Sequence, residues 1–281
     1  KMGGLSIANQ IGNSLVEEGG FSWTDADAEA YYDTLKTVNG GDINASGLYS
    51  ITLDELKEGI NTAFVDAKSD GTYSNLSHWF PVIGGTAATH AVCAVTLASQ
   101  LTYVGSPTHG SYGVRTNGTT QHINSNTSHS VFAASRYDAH WSYWEKNVTN
   151  NVATFGSRDN AAVSLWNRIT SSTTMGGALI GVATNTPVTS PNEIFIGRII
   201  GNSVTGDRRV YQNGSTLLSI GLATGGDVTT NAVFNAWSNG GSVINRSAGD
   251  FTHGTLGDGL SDSQASNLYA VANDLRILLG R

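Results

Sequence analysis

Paired carboxylates are the first chemistry to test, because two held about 5 Å apart can cleave a glycosidic bond with retention. On a strand such a pair occupies alternate residues, which share one face. Beyond Phe80 the only glutamates are Glu145 and Glu193, and neither has another acidic residue within four positions. The i,i+4 acidic pair Asp258 and Asp262 flanks a turn and a predicted helix start, where carboxylates act as caps. Seven histidines are scattered from His78 to His253 without zinc-ligand spacing, and Cys93 is the single cysteine. His122 and His129 are closest in sequence, and a structural or solvent-exposed role is expected for both. Nucleophile-elbow, phosphate-loop and His-Glu-x-x-His patterns are absent. No catalytic residue is assigned, and the chain is expected not to be an enzyme.

Calcium is the one cofactor with a partial signature. Asp42-Ile43-Asn44-Ala45-Ser46-Gly47 opens like an EF-hand loop, with oxygen donors at the first, third and fifth positions and Gly at the sixth. The twelfth position is Leu53, where a bidentate carboxylate is needed, and Asp54 and Glu55 follow too late. A polar loop leading to a helix cap at Thr52 explains the segment better. No metal ligand is assigned; calcium stays possible with ligands unknown. The candidate ligand-binding residues are Trp141, Tyr143 and Trp144, within His140-Trp141-Ser142-Tyr143-Trp144-Glu145. Such rings stack on sugars and anchor protein interfaces. The cluster falls between two predicted strands, which implies a loop. Three readings stay open: rings that cover one end of a sandwich, a protein interface, or a glycan contact.

The elements that must position these residues follow from spacing. Thr24 to Val38 places Ala28, Tyr31, Leu35 and Val38 on one helical face, with acids in the opening turns. Thr52-Leu53-Asp54-Glu55 fits a capping box for a helix running to Asp70-Gly71. Ile7 to Glu18 is a weaker helical segment, interrupted by Gly12. From Thr86 to Thr255 the chain reads as about eleven short strands between Gly and Asn turns, among them Ala91 to Val95 and Ser130 to Tyr137. Gln212-Asn213-Gly214-Ser215 is the clearest hairpin turn. Ser261-Asp262-Ser263-Gln264 opens a final helix with Leu268, Val271 and Leu275 on its apolar stripe.

Composition narrows the function classes. Of 281 residues only 13% are charged, and Asn, Ser and Thr together make up 84. This favours strands whose solvated faces carry neutral polar side chains. A net charge of −7 offers no footprint for nucleic acid or anionic lipid, so no nucleic-acid partner is expected. No apolar run approaches the roughly 20 residues of a membrane span, and no secretion signal is visible after Lys1-Met2-Gly3-Gly4.

The run Asp250-Phe251-Thr252-His253-Gly254-Thr255-Leu256-Gly257-Asp258-Gly259-Leu260-Ser261-Asp262, continuing to Leu268-Tyr269, resembles the closing strand and helix of laminin-G-like, concanavalin A-like jelly rolls. Arg209-Val210-Tyr211-Gln212-Asn213-Gly214 is similar to that family's Tyr-x-Asn-Gly hairpin, and Trp79 to His90 to a lead-in segment of bacteriophage virion proteins. The resemblance implies a mainly β, antiparallel jelly-roll sandwich (79–281) behind a helical N-terminal assembly region (1–78), with a C-terminal helix. It implies a non-enzymatic virion surface protein, fibre or capsid decoration, located on the virion or outside the cell. Its partners would be other virion proteins, copies of itself and host-surface glycan. The rival readings are a carbohydrate-binding module of a bacterial surface protein, and a glycan hydrolase or lyase with unrecognised residues.

Overall fold

The structure, a computed structural model, describes residues 20–133, 138–147, 152–160, 163–171, 174–179, 182–187, 195–200, 207–220 and 229–281. Two helices come first, α1 (Ala26–Asn39) and α2 (Leu53–Ser69), then β1 (Leu76–Phe80) and the one-turn α3 (Ala87–His90). β2 (Thr102–Val104), β3 (Thr108–Gly110), β4 (Gly113–Arg115) and β5 (His122–Ser128) lead to the short α4 (His129–Phe132). β6 (Ala139–Lys146), β7 (Val152–Asn160), β8 (Val163–Ser171), β9 (Thr174–Leu179) and β10 (Val182–Pro187) follow. The remaining strands are β11 (Phe195–Ile200), β12 (Asp207–Gln212), β13 (Ser215–Ile220), β14 (Asn231–Phe234), β15 (Trp237–Asn239), β16 (Ser242–Ile244) and β17 (Asp250–Gly257). The described chain closes on α5 (Asp262–Leu278).

Local chemistry sets the helix ends. Asp25 caps α1 by accepting from the amides of Asp27 and Ala28, and Gly40 ends it in the left-handed region at φ 74°. Thr52 with Glu55, and Ser261 with Gln264, form the two expected capping boxes. Asn213 and Gly214 both adopt positive φ between β12 and β13, as the predicted hairpin requires. Two strand expectations fail. Ala91 to Val95 follows α3 and makes only an isolated bridge, Val92 to Ser99, and Ser130 opens no strand because 129–132 turn as α4. The Ile7 to Glu18 segment and residues 134–137 lie outside the described residues.

One sheet runs β13-β12-β11-β6-β17-β4-β3, with β1 beside β4 along the same flank of β17. The other runs β10-β9-β8-β7-β14-β5-β2, with β15 and β16 attached at β7. The sheets face each other across an aromatic core in which Trp141 and Tyr143 stack on Phe155, and Phe234 on Phe251. A second core lies on the outer face of the first sheet. There α1, α2 and α5 bury Tyr31, Leu35, Phe64, Val271 and Leu275 around Trp79 of β1.

This corrects the expected mainly β jelly-roll sandwich. Helices stand before, between and after the strands, and among the described residues both sheets are open, ending at β13 and β3 and at β10 and β2. The physical reason is burial. The apolar stripes of α1, α2 and α5 are covered by packing on one another and on β1, so they form a third layer sharing one core with that strand. The expected boundary between 78 and 79 falls inside β1, whose neighbours Trp79 and Phe80 face the helical core and the sheet core respectively.

Candidate functional site

The aromatic cluster forms a strand rather than the expected loop. Trp141 and Tyr143 point between the sheets and are fully covered, and Trp144 points the other way onto α5. Its ring stacks on Tyr269 at 6.2 Å between centroids, and the Arg276 guanidinium lies 5.1 Å from its centroid. Alternation on β6 therefore supplies anchors to two cores at once. All three rings are buried within the chain.

Glu145 shares the inward face of β6 with Trp141 and Tyr143 and is only 1% exposed. Neither carboxyl oxygen has a hydrogen-bond partner; Ser247 faces it without a bond of good geometry. Burial pushes its pKa up to about 8, with the nearby Asp250 charge adding to the rise. A β-carbon on Gly249 would stand 2.1 Å from Oε1, so glycine is what lets the backbone pass over this carboxyl. Glu193 lies outside the described residues. Asp262 does not cap α5; Ser261 does, and Asp262 accepts from Arg209 and Tyr211.

The loop tested for calcium spends its donors internally. Asn44 accepts from the Tyr49 amide and donates to the Ile51 carbonyl, and Asp42 accepts from the Tyr32 hydroxyl. Among the described residues no three His, Cys, Asp or Glu side chains gather as a metal site. Buried histidines bond within the fold. His253 Nε2 accepts from the Trp79 indole at 2.9 Å, His90 Nδ1 meets His109 Nδ1 at 3.0 Å, and His140 reaches the Asp258 carbonyl. Burial holds His253 and His90 down to about 3, and His140 to about 4. His122 is buried, and the side chain of His129 lies outside the described residues.

Uncommitted polar groups converge elsewhere. The register places Asp250 of β17 opposite Arg115 of β4 on one side and Lys146 of β6 on the other. Arg115 grips Asp250 in a bidentate pair, Nε to Oδ1 at 2.6 Å and Nη2 to Oδ2 at 2.8 Å. Asn147 donates to the same Oδ2 at 2.7 Å. The half-buried Tyr112 ring lies under the guanidinium, 4.2 Å from centroid to Cζ. Together with Ser111 and Gly280 these side chains line an open cleft of about 220 Å³ where the end of α5 meets the β3–β4 hairpin. Arg281 forms its inner wall, donating to the carbonyls of Ser111 and Val82. Burial lowers the Lys146 pKa, and the charges of Arg276 and Arg281 lower it further.

Two features fix this row. Gly113, at φ 106°, lets the hairpin lie against β17, since a β-carbon there would stand 2.3 Å from the Phe251 carbonyl oxygen. Asp250 is 2% exposed and already saturated by Arg115 and Asn147. The Arg115 Nη1 donors, the Lys146 ammonium, the Asn147 amide oxygen and the Tyr112 hydroxyl are uncommitted among the described residues. No local motif joins Arg115 and Asp250, which stand 135 positions apart, so nothing in the neighbouring sequence marks this site.

Asp250 and Glu145 do not form a catalytic pair. Asp250 shares the outer face with Lys146, whereas Glu145 shares the inner face with Phe251, so the sheet separates them.

No protein-family model matches the chain, and no curated protein matches it. Solved structures do, at low identity. The receptor-binding domain of botulinum neurotoxin D is 10% identical, with TM-score 0.48, covering 70% of this chain and 53% of that one. Domain 4 of AbnA, a GH43 extracellular arabinanase from Geobacillus stearothermophilus in complex with arabinotriose, is 15% identical, with TM-score 0.44, covering 69% and 98%. The CBM40 of the Ruminococcus gnavus IT-sialidase bound to α2,3 sialyllactose is 14% identical, with TM-score 0.37, covering 48% and 82%. The resemblance is thus a distant one to carbohydrate-binding and receptor-binding domains. It shows no bacteriophage link, and the virion reading, with its fibre, capsid and virion-protein partners, is withdrawn. No helix among the described residues is long and apolar enough to cross a membrane.

Proposed function

We propose that this chain is a non-catalytic glycan-recognition module whose ligand lies in the Tyr112–Arg115–Lys146–Asn147 cleft. The observation that carries the reading is the convergence of uncommitted donors and an acceptor beside an aromatic ring, on a row held rigid by a buried carboxylate. A pyranose presents hydroxyls as donors and acceptors along one edge and an apolar C–H face. The cleft offers the complement: Arg115 and Lys146 donate, Asn147 accepts, and Tyr112 supplies ring surface. Asp250, hidden beneath, holds Arg115 in place, so little side-chain entropy remains to be lost on binding.

Hydrolysis is not proposed, because Glu145 is closed off within the core and the sheet lies between it and Asp250. A glycan array followed by titration calorimetry tests the reading. Arg115→Ala and Tyr112→Ala should each weaken binding of the selected glycan about tenfold or more, as expected for losing a charged hydrogen bond or a ring contact. Binding that both variants leave intact, or an array with no bound glycan, overturns it.

A further inference from the structure

A second opening lies on the far side of the helical layer, and it is chemically unlike the cleft. α2 and α5 each turn one stripe toward it: positions 55, 58, 59, 62, 63 and 66 on α2, and 271, 274, 275 and 278 on α5. Gly59 lets Leu278 pack directly on α2, since a β-carbon there would stand 2.0 Å from Leu278 Cδ2, and Ala63 and Leu275 line the floor beside it. A mid-helix glycine costs about 1 kcal/mol relative to alanine, so its presence marks a position where close approach matters. The result is an apolar-floored groove of about 300 Å³.

Its rim is acidic. Glu55, Glu58 and Asp66 stand on α2, and Asp274 on α5. Among the described residues none of the four pairs with a cation; Glu55 only caps its own helix at Thr52. The cations of these helices are engaged elsewhere. Lys57 pairs with Asp54 and lies over Tyr32, Lys68 pairs with Asp25 and Asp27, and Arg276 lies over Trp144. An apolar floor between unneutralised carboxylates fits one kind of surface, apolar side chains flanked by cations.

We propose that this groove docks a basic amphipathic helix of a partner protein, its apolar row on Gly59, Ala63, Leu275 and Leu278 and its lysines or arginines on the four carboxylates. From position 55 to 66 the groove runs roughly 16 Å at the rise of an α-helix, about three turns, which suits i, i+3/i+4, i+7 anchors. A second copy of this chain is the wrong occupant. Two-fold pairing would set the same carboxylates against one another in a chain whose net charge is −7.

Fluorescence anisotropy with the full chain tests this, using a labelled helical peptide of leucines and lysines as probe. A lysine–serine peptide and a leucine–glutamate peptide serve as controls. The leucine–lysine peptide should bind alone of the three, and weaken as salt rises. The triple change Glu58→Gln, Asp66→Asn, Asp274→Asn should reduce its binding roughly tenfold, since each exposed ion pair contributes modestly. Glu29→Gln and Asp33→Asn on α1 should leave binding unchanged, which separates the groove from general charge. Thr62→Trp, at an exposed position of the groove wall, should block docking while the far-ultraviolet spectrum stays native.

Equal binding of the lysine–serine peptide, or indifference to the triple change, overturns the proposal. So does self-association abolished by Thr62→Trp, which would assign the groove to a second copy. Binding that appears only after removal of residues 1–19 would assign it to the chain's own segment and likewise overturn it.

Discussion

Glu145 carries the clearest consequence at the level of single residues. Its pKa is about 8 in the folded chain against an ordinary 4.5, so the folded state holds a proton there that the unfolded state releases. Stability therefore falls as pH rises from about 4.5 to about 8 on this account. His253, His90 and His140 act oppositely: held neutral down to about 3 or 4 against an ordinary 6.5, they lose stability as pH falls below 6.5. Between 4.5 and 6.5 three histidines outweigh one glutamate, and above 6.5 the Glu145 effect remains. Denaturant midpoints should accordingly peak near pH 6.5, and Glu145→Gln should flatten the decline toward pH 8 while leaving the acid side in place. A decline that persists in the glutamine variant would show that another group titrates there.

The elements determine whether the cleft exists. The β3–β4 hairpin brings Arg115 to Asp250 only because Gly113 adopts a conformation that L-residues resist, pressed against β17. Gly113→Val should both strain the turn and push the hairpin off β17. Thermal melting should show a loss of about 1–3 kcal/mol, and glycan affinity should fall further than stability does. A variant with reduced stability but full affinity would place the ligand elsewhere. At the other wall, α5 depends on the Ser261 cap. Ser261→Ala should cost about 1 kcal/mol, measurable as a lower urea midpoint with unchanged slope.

For the molecule as a whole, β1 joins the layers. Trp79 fills the helical core against Phe64 at 4.9 Å, and Phe80 fills the sheet core against Phe234 at 6.2 Å. Helices and sheets so joined should unfold together. Far-ultraviolet and near-ultraviolet signals should give one coincident transition, and Trp79→Ala should destabilise both by about 3–5 kcal/mol. Two separated transitions would instead divide the helical layer from the sheets.

What was readable in the chain is what depends on neighbours in sequence. Capping at Thr52 and Ser261, the apolar stripes of α1, α2 and α5 and the Asn213-Gly214 turn rest on contacts within a few residues, so pattern alone identifies them. The tryptophans of β6 were legible as important but not as buried. Trp144 directly follows Tyr143, so the alternation begun by Trp141, Ser142 and Tyr143 is lost, and only the helical layer covers the second face. Tertiary structure decided the rest. It merged the N-terminal helices with α5 into one layer, set Glu145 and Asp250 on opposite faces of a sheet, and built the candidate cleft from Tyr112, Arg115, Lys146, Asn147 and Asp250 through strand register. Register depends on long-range pairing, and no short stretch of this chain encodes it.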